Sequence, residues 1–302
     1  LSAVVSNVLN APASTATSSS VLVGLIGRGI QLSRTPYMHE TEGKALNLPY
    51  VYRLLDIDRM GDPSPSLADV VHFAENFGFS GFNVTFPYKQ EILPLLDELS
   101  PAASDIGSVN TVVFRNGKRR GHNTDMWGFR ESFRLGMGTA ARDRVLMLGA
   151  GGAGVAVAYA LLDLGVGQLM ISDSDHDRAE ALAERLGSRF GAQRANAVRN
   201  LEDAAAAADG IVNATPVGMA KLPGTPLPIS MLRPRHWVAD IVYFPLETEL
   251  LRQARGIGCA TLSGEGMAVF QAVRAFEHFT GVAPDVDRMK AAFVAFAETA
   301  RA

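Results

Sequence analysis

Cysteine is almost absent: Cys259 is the only one in 302 residues. A disulfide within the chain is therefore impossible, and a thiolate metal cluster is excluded. No His/Asp/Glu spacing suggests another kind of metal site, so no metal is expected. Excess charge is lacking too. The net charge of −3 provides no chain-wide basic field to hold nucleic acid. No apolar run approaches the roughly 20 residues a membrane helix needs, and no internal repeat is visible. These absences fit a reducing, cytoplasmic setting.

What remains is ordinary globular material, 47% apolar and 20% charged, enough for about two domains. Residues 1–20 differ. "NAPASTATSSS" is small, polar and aperiodic, and reads as a flexible tail. The "SAVVSNVL" before it is too short, and lacks the basic start, for a signal peptide.

The body opens with "VLVGLIG", a buried-type strand closed by a glycine turn. A helix is expected from Pro36 to Leu46, a strand from Tyr50 to Ile57, and a helix from Ser66 to Gly78. That last helix would bury Leu67, Val70, Val71, Ala74 and Phe77, with Ser66 as cap. "GFNVTFPYKQ" is a short strand stopping at Pro87, and a helix over 88–100 is expected to follow. Asn116-Gly117 marks a hairpin from Asn110 to Thr124. A helix from Met126 to Gly136 then leads into alternating strands and helices, the pattern of a doubly wound sheet. The fold class expected is α/β with two domains: 21–124, mostly parallel, and a Rossmann-like unit over 125–264. Two closing helices, near 265–280 and 284–302, are expected to pack back on the first.

Gly149, Gly151 and Gly154 give G-x-G-x-x-G between an apolar strand and an apolar helix. The first glycine permits the turn, the second lets backbone N–H groups approach a pyrophosphate, and the third lets helix and strand lie close. Asp173 ends the next strand, where a carboxylate can accept from ribose hydroxyls and repel a 2′-phosphate. Ser174, Asp175 and His176 supply no arginine for that phosphate. Arg178 could clamp it, pair with Asp173, or lie along the adenine. NAD is favoured over NADP. The plainer role for Asp173 is a helix cap.

Lys89 stands just past a strand that carries Asn83 and Thr85 among apolar residues. Such a lysine is more often a solvated charge. But Ser33 and Thr35 in "SRTP", Asn110 in "VNT" and Asp125 in "HNTD" also fall at ends of elements, where open parallel sheets bind ligands. The plainer readings are turn and cap roles, with Asp125 as a helix N-cap.

The chain resembles the shikimate and quinate dehydrogenases. The resemblance covers nearly everything after Val21 and rests on "GLIG", "SRTP.MHE", "GFNVTFPYKQ", "GSVNTV", "GHNTD", "GAGGAG", "VNATPVGM", "DIVYFPLETELL" and "GEGMAVFQA". It implies a catalytic pair, Lys89 and Asp125, with Ser33, Thr35, Asn83, Thr85, Asn110, Tyr243 and Gln271 around the substrate. It places Gly149, Ala150, Gly151, Gly152 and Ala153, with Asp173, Thr215, Ile241, Gly264 and Met267, at the cofactor. The substrate implied is shikimate or quinate, handled by a monomer or homodimer. Typical biosynthetic members have serine at Thr35 and an Asn-Arg-Thr type stretch at Asp173-Ser174-Asp175; both departures resemble the NAD-using branch. The alternatives are an aminoshikimate or other small cyclic-alcohol dehydrogenase, or a non-catalytic sensing homologue.

Overall fold

The computed structural model describes residues 20–299. The expected tail, apart from Ser20, lies outside the described residues. Two six-stranded sheets organise the rest. The first comprises β1 (Val21–Gly27), β2 (Tyr50–Asp56), β3 (Gly81–Val84), β4 (Glu98–Leu99), β5 (Thr111–Arg115) and β6 (Lys118–His122), in the order β2-β1-β3-β5-β6-β4. β1 pairs in parallel with β2 and β3, and the hairpin β5–β6 joins antiparallel to β3. Its helices are α1 (Thr35–Ala45), α2 (Leu67–Asn76) and α3 (Pro101–Ile106).

α2 shows how local sequence sets an element. The Ser66 hydroxyl accepts from the Asp69 N–H at 3.1 Å, and the Asp69 carboxylate accepts from the Ser66 N–H at 3.2 Å. This reciprocal cap starts the helix, and Leu67, Val70, Val71 and Ala74 are buried. Phe77, expected on the same face, is instead 75% exposed. The helix ends at Asn76, so the helical period no longer points that ring inward. The helix expected over 88–100 is not formed. Pro94 lacks an N–H and so cannot supply the hydrogen bond that a continuous α-helix needs at that position. The segment becomes turns, one 3₁₀ turn at Leu93–Leu95, and β4, flanked by Asp97 and Ser100, whose N–H groups bond the carbonyls of Arg119 and Gly121. The helix begins later, at α3, capped by Ser100.

The second sheet is parallel throughout: β7 (Arg144–Leu148), β8 (Gln168–Ser172), β9 (Ala195–Ala197), β10 (Gly210–Asn213), β11 (Trp237–Asp240) and β12 (Ala260–Leu262), ordered β12-β11-β10-β7-β8-β9. Strand order reverses between β7 and β10, the switch point where doubly wound sheets bind ligands. Helix α4 (Thr124–Met137) leads into this sheet, and α5 (Gly152–Asp163), α6 (His176–Phe190), α7 (Leu201–Ala207) and α8 (Glu249–Ile257) run between its strands. Val145, Met147, Leu169, Ile171 and Val212, all buried, form its core with α5.

The chain returns through α9 (Gly264–Thr280), which packs along α4 and reaches β1 and β5. The two helices approach closely at small residues. A Cβ on Gly128 would fall 2.7 Å from the Met267 carbonyl oxygen, and one on Gly266 would strike the Ser132 side chain. Helix α10 (Val286–Thr299) packs on α1. There the fully buried Glu42 carboxylate accepts two bonds from Arg288, at 2.5 and 2.9 Å, and one from the Asp285 N–H at 2.8 Å.

Candidate active site

A cleft of about 600 Å³ lies where the ends of β1 and β3 meet the first turn of α5. The loop after β1 is held from below. Asp56 accepts from the Gly29 N–H at 3.1 Å, the Ile30 N–H at 3.3 Å and the Gln31 amide at 2.8 Å. Burial opposes ionisation of Asp56, but these donors prevail and hold its carboxyl below the usual range. The loop so fixed delivers Ser33 and Thr35 to the cleft wall, Thr35 as the first residue of α1. The Ser33 hydroxyl oxygen accepts from the Thr35 N–H at 3.3 Å.

Asn83 enters from the end of strand β3, with Thr85 just beyond it. Lys89 follows, its carbonyl oxygen accepting from the Val109 N–H at 2.8 Å. Its ammonium donates to Asp125 Oδ2 at 2.5 Å, while Asn110 Nδ2 donates to Asp125 Oδ1 at 2.9 Å. Asp125 is not the N-cap of α4. Asn123 takes that place, its side chain accepting from the Met126 N–H at 3.2 Å. Asp125 is therefore free to face Lys89 from the first helical turn, where the helix dipole favours negative charge. Only 10% of its side chain and 22% of that of Lys89 is exposed, so the pair is screened less than a surface pair.

Tyr243 and Gln271 also line the cleft. The Tyr243 ring meets Phe293 with centroids 5.9 Å apart and remains 45% exposed. The Gln271 amide donates to the Ala268 carbonyl at 3.1 Å. Arg34, Met38 and Phe293 are among the wall residues that escaped sequence reasoning. Arg34 is buried, its guanidinium 4.6 Å from the Phe293 ring centre, and it donates to the Phe293 carbonyl at 3.3 Å. Its place between Ser33 and Thr35 was the available signal. Phe293 lies on the far C-terminal helix and gave none.

The opposite wall is backbone. Gly149 has φ +100°, a conformation that L side chains rarely adopt. A Cβ on Gly154 would strike the Gly149 carbonyl oxygen, whereas at Gly151 and Gly152 it would meet nothing. The turn and the start of α5 thus leave open an N-terminal end that can receive an anion. Asp173 braces it, accepting from the Ala150 N–H at 2.6 Å and the Asp175 N–H at 2.9 Å. Burial again opposes ionisation, and these donors again hold the carboxyl below the usual range. Arg178 pairs with Asp175 at 3.0 Å. Thr215 donates to Asn213 Oδ1 at 2.7 Å, and its methyl lies beside Gly149.

The cleft wall therefore unites Ser33, Thr35, Asn83, Thr85, Lys89, Asn110, Asp125, Tyr243 and Gln271 with Gly152, Ala153, Ile241, Gly264 and Met267. Gly149, Ala150, Gly151, Asp173 and Thr215 sit around the adjoining glycine turn, and Arg178 on α6. Among the described residues, no group of three or more His, Cys, Asp or Glu side chains is placed to hold a metal. Nor is any helix long and apolar enough to cross a membrane.

Three family models match: the shikimate dehydrogenase substrate binding domain over residues 25–112, shikimate / quinate 5-dehydrogenase over 134–220, and the shikimate 5'-dehydrogenase C-terminal domain over 264–292. A quinate/shikimate dehydrogenase (NAD(+)) of Corynebacterium efficiens is 50% identical, over 91% of this chain and 98% of its own length. A shikimate dehydrogenase (NADP(+)) of Streptomyces avermitilis is 52% identical, over 94% and 98%. The solved quinate dehydrogenase from Corynebacterium glutamicum in complex with NAD superposes with a TM-score of 0.88 at 49% identity, covering 91% of this chain and 99% of that one. With the same two-sheet architecture and near-complete coverage in both directions, the chain belongs to the shikimate/quinate dehydrogenase family.

Proposed function

We propose that this protein transfers a hydride between NAD and the ring hydroxyl of shikimate or quinate, interconverting them with 3-dehydroshikimate and 3-dehydroquinate. One observation carries the proposal: a lysine–carboxylate pair on one wall of a cleft whose other wall is an open, anion-accepting glycine turn. In this reading residues 21–124 and 265–302 serve the ring acid, and 125–264 serve the cofactor.

The residues present fit a dinucleotide. No Cβ fills the space before Gly151 and Gly152, and the first N–H groups of α5 are available to a pyrophosphate. The Asp173 carboxylate can accept from ribose hydroxyls, and it repels a 2′-phosphate. Arg178, engaged by Asp175, is drawn away from such a phosphate. These features support NAD over NADP. When bound, the nicotinamide would supply the hydride acceptor.

The protein's own work is to hold the alcohol and manage its proton. Ser33 and Thr35 would hold the ring carboxylate through hydroxyl donors, and Tyr243 and Gln271 would close over the ring. Lys89 and Asp125 would straddle the reacting hydroxyl. Asp125 is held at both oxygens, so it cannot turn away as the hydroxyl approaches. As the hydride leaves carbon, the hydroxyl proton passes to the coupled pair, and the ammonium offsets the charge growing on oxygen. The test is absorbance at the reduced-nicotinamide band. Protein is mixed with NAD or NADP and with shikimate, quinate or an unrelated secondary alcohol. Turnover of a ring acid, faster with NAD, is expected; no turnover of either ring acid ends the reading.

A further inference from the structure

Behind the cleft runs a line of buried hydrogen bonds whose direction can be worked out from backbone groups alone. The Thr124 N–H, which can only donate, lies 2.7 Å from Asn110 Oδ1. Asn110 therefore turns its nitrogen toward Asp125. The Asn110 carbonyl, which can only accept, lies 3.3 Å from Asn83 Nδ2. Asn83 therefore turns its nitrogen inward as well, where it also donates to Thr111 Oγ1 at 2.9 Å. The Thr111 hydroxyl then donates onward to Asn110 Oδ1 at 3.2 Å. Only one arrangement is left for Tyr52. Its hydroxyl, 2.8 Å from Asn83 Oδ1, must be the donor.

Tyr52 is outside the cleft wall, 4% exposed, on β2. Burial raises the pKa of its hydroxyl, so the phenol keeps the proton it donates. Both hydrogens of the Asn83 amide are spent inside the protein. Toward the cleft Asn83 can offer only the remaining lone pair of Oδ1. It is an acceptor, suited to a ligand hydroxyl and unsuited to a carboxylate or a carbonyl.

We infer that Tyr52 is a positioning residue for substrate selection: by donating to Asn83 Oδ1 it clamps the amide so that one hydroxyl of the ring acid is recognised as a donor. The inference rests on the substrate-side reading proposed above. Tyr52→Phe keeps the ring and removes only the donor. The Asn83 carboxamide then loses one of its tethers and its aim. KM for the ring acid should rise about five- to tenfold, the usual weight of one neutral hydrogen bond. The change in kcat should stay within about twofold, and KM for NAD should not move.

A monodeoxy series of the ring acid separates positioning from general loosening. The Tyr52→Phe penalty should vanish for the one analogue lacking the hydroxyl that Asn83 accepts. A penalty of equal size with every analogue, or none with any, overturns the inference. A second readout needs no turnover. The Asn83 side-chain N–H signals in NMR should be protected from exchange in the unaltered protein and lose protection in Tyr52→Phe; unchanged protection also overturns it. If the unaltered protein oxidises neither ring acid, the functional reading fails while the exchange measurement still decides Tyr52. Should the phenylalanine variant not fold, Thr111→Val, which removes the next member of the line, is measured in its place against the same outcomes.

Discussion

The two walls of the cleft are built on opposite plans. The first-sheet wall presents side chains: Lys89 and Asp125 at 2.5 Å, with Asn110 and Asn83 fixed behind them by further side chains. The second-sheet wall presents backbone: a left-handed Gly149, bare positions at Gly151 and Gly152, and a carboxylate that braces the turn. A wall of side chains can be tuned one group at a time. A wall of backbone is changed by anything that shifts the chain.

The comparison is broken most severely at Lys89. Lys89→Ala should lower kcat at least about a hundredfold, the range for losing a positioned proton-transfer group, with little change in the KM of the ring acid and in NAD affinity. Steady-state kinetics with both substrates checks this, and an unaltered kcat removes Lys89 from the chemistry. Next is Gly154→Ala, where the added methyl strikes the Gly149 carbonyl oxygen, a backbone atom that cannot swing aside. Overpacking of this kind destabilises by about 1–3 kcal/mol. NAD should bind about tenfold more weakly, while the KM of the ring acid at saturating NAD stays within about twofold. NAD titration by fluorescence checks the first half, and kinetics the second.

Acid should weaken the packing around the first sheet. Burial disfavours a charged imidazole, and it lowers His39 to about 3 and His122 and His278 to about 4, from 6.5. His122 and His278 stack with centroids 4.0 Å apart, and Arg115, Arg120 and Arg274 add positive charge around them. The unfolded chain binds these protons more readily than the folded one. Stability is therefore full above pH 6.5 and falls as pH drops toward 4. The Tm of His278→Gln should fall less steeply over that window than that of the unaltered protein; His39, His122 and the buried His236, which burial also lowers, leave a residual slope. The smallest effect is expected at Thr35→Ser. Removing one methyl from the wall should shift the quinate/shikimate ratio of kcat/KM by less than about tenfold, and an unaltered ratio refutes a selective role for that methyl.

The contrast between the walls also explains what could be read from the chain. A backbone site needs glycines at fixed spacing, so Gly149, Gly151 and Gly154 announced it in one stretch. A side-chain site is assembled from distant positions. Lys89, Asp125 and Asn110 were legible because each stands where an element ends. Tyr52 was not, because its contact with Asn83 depends on strands being ordered β2-β1-β3. Arg34 and Phe293 were missed for the same reason: the contact spans 259 residues of chain. The misread helix over 88–100 shows the converse. Pro94 and the pairing of β4 with β6 outweigh any helical tendency of that stretch.

The chain crosses between the halves only twice among the described residues, through α4 and α9, which lie side by side. Their meeting at Gly128 and Gly266 leaves no thickness to spare. The gap between the Lys89–Asp125 pair and the glycine turn is thus gauged by a pin two helices wide: Asp125 rides on one shaft, Met267 and Gln271 on the other. A single methyl inserted between the shafts would widen the jaws while leaving every residue of the jaws intact.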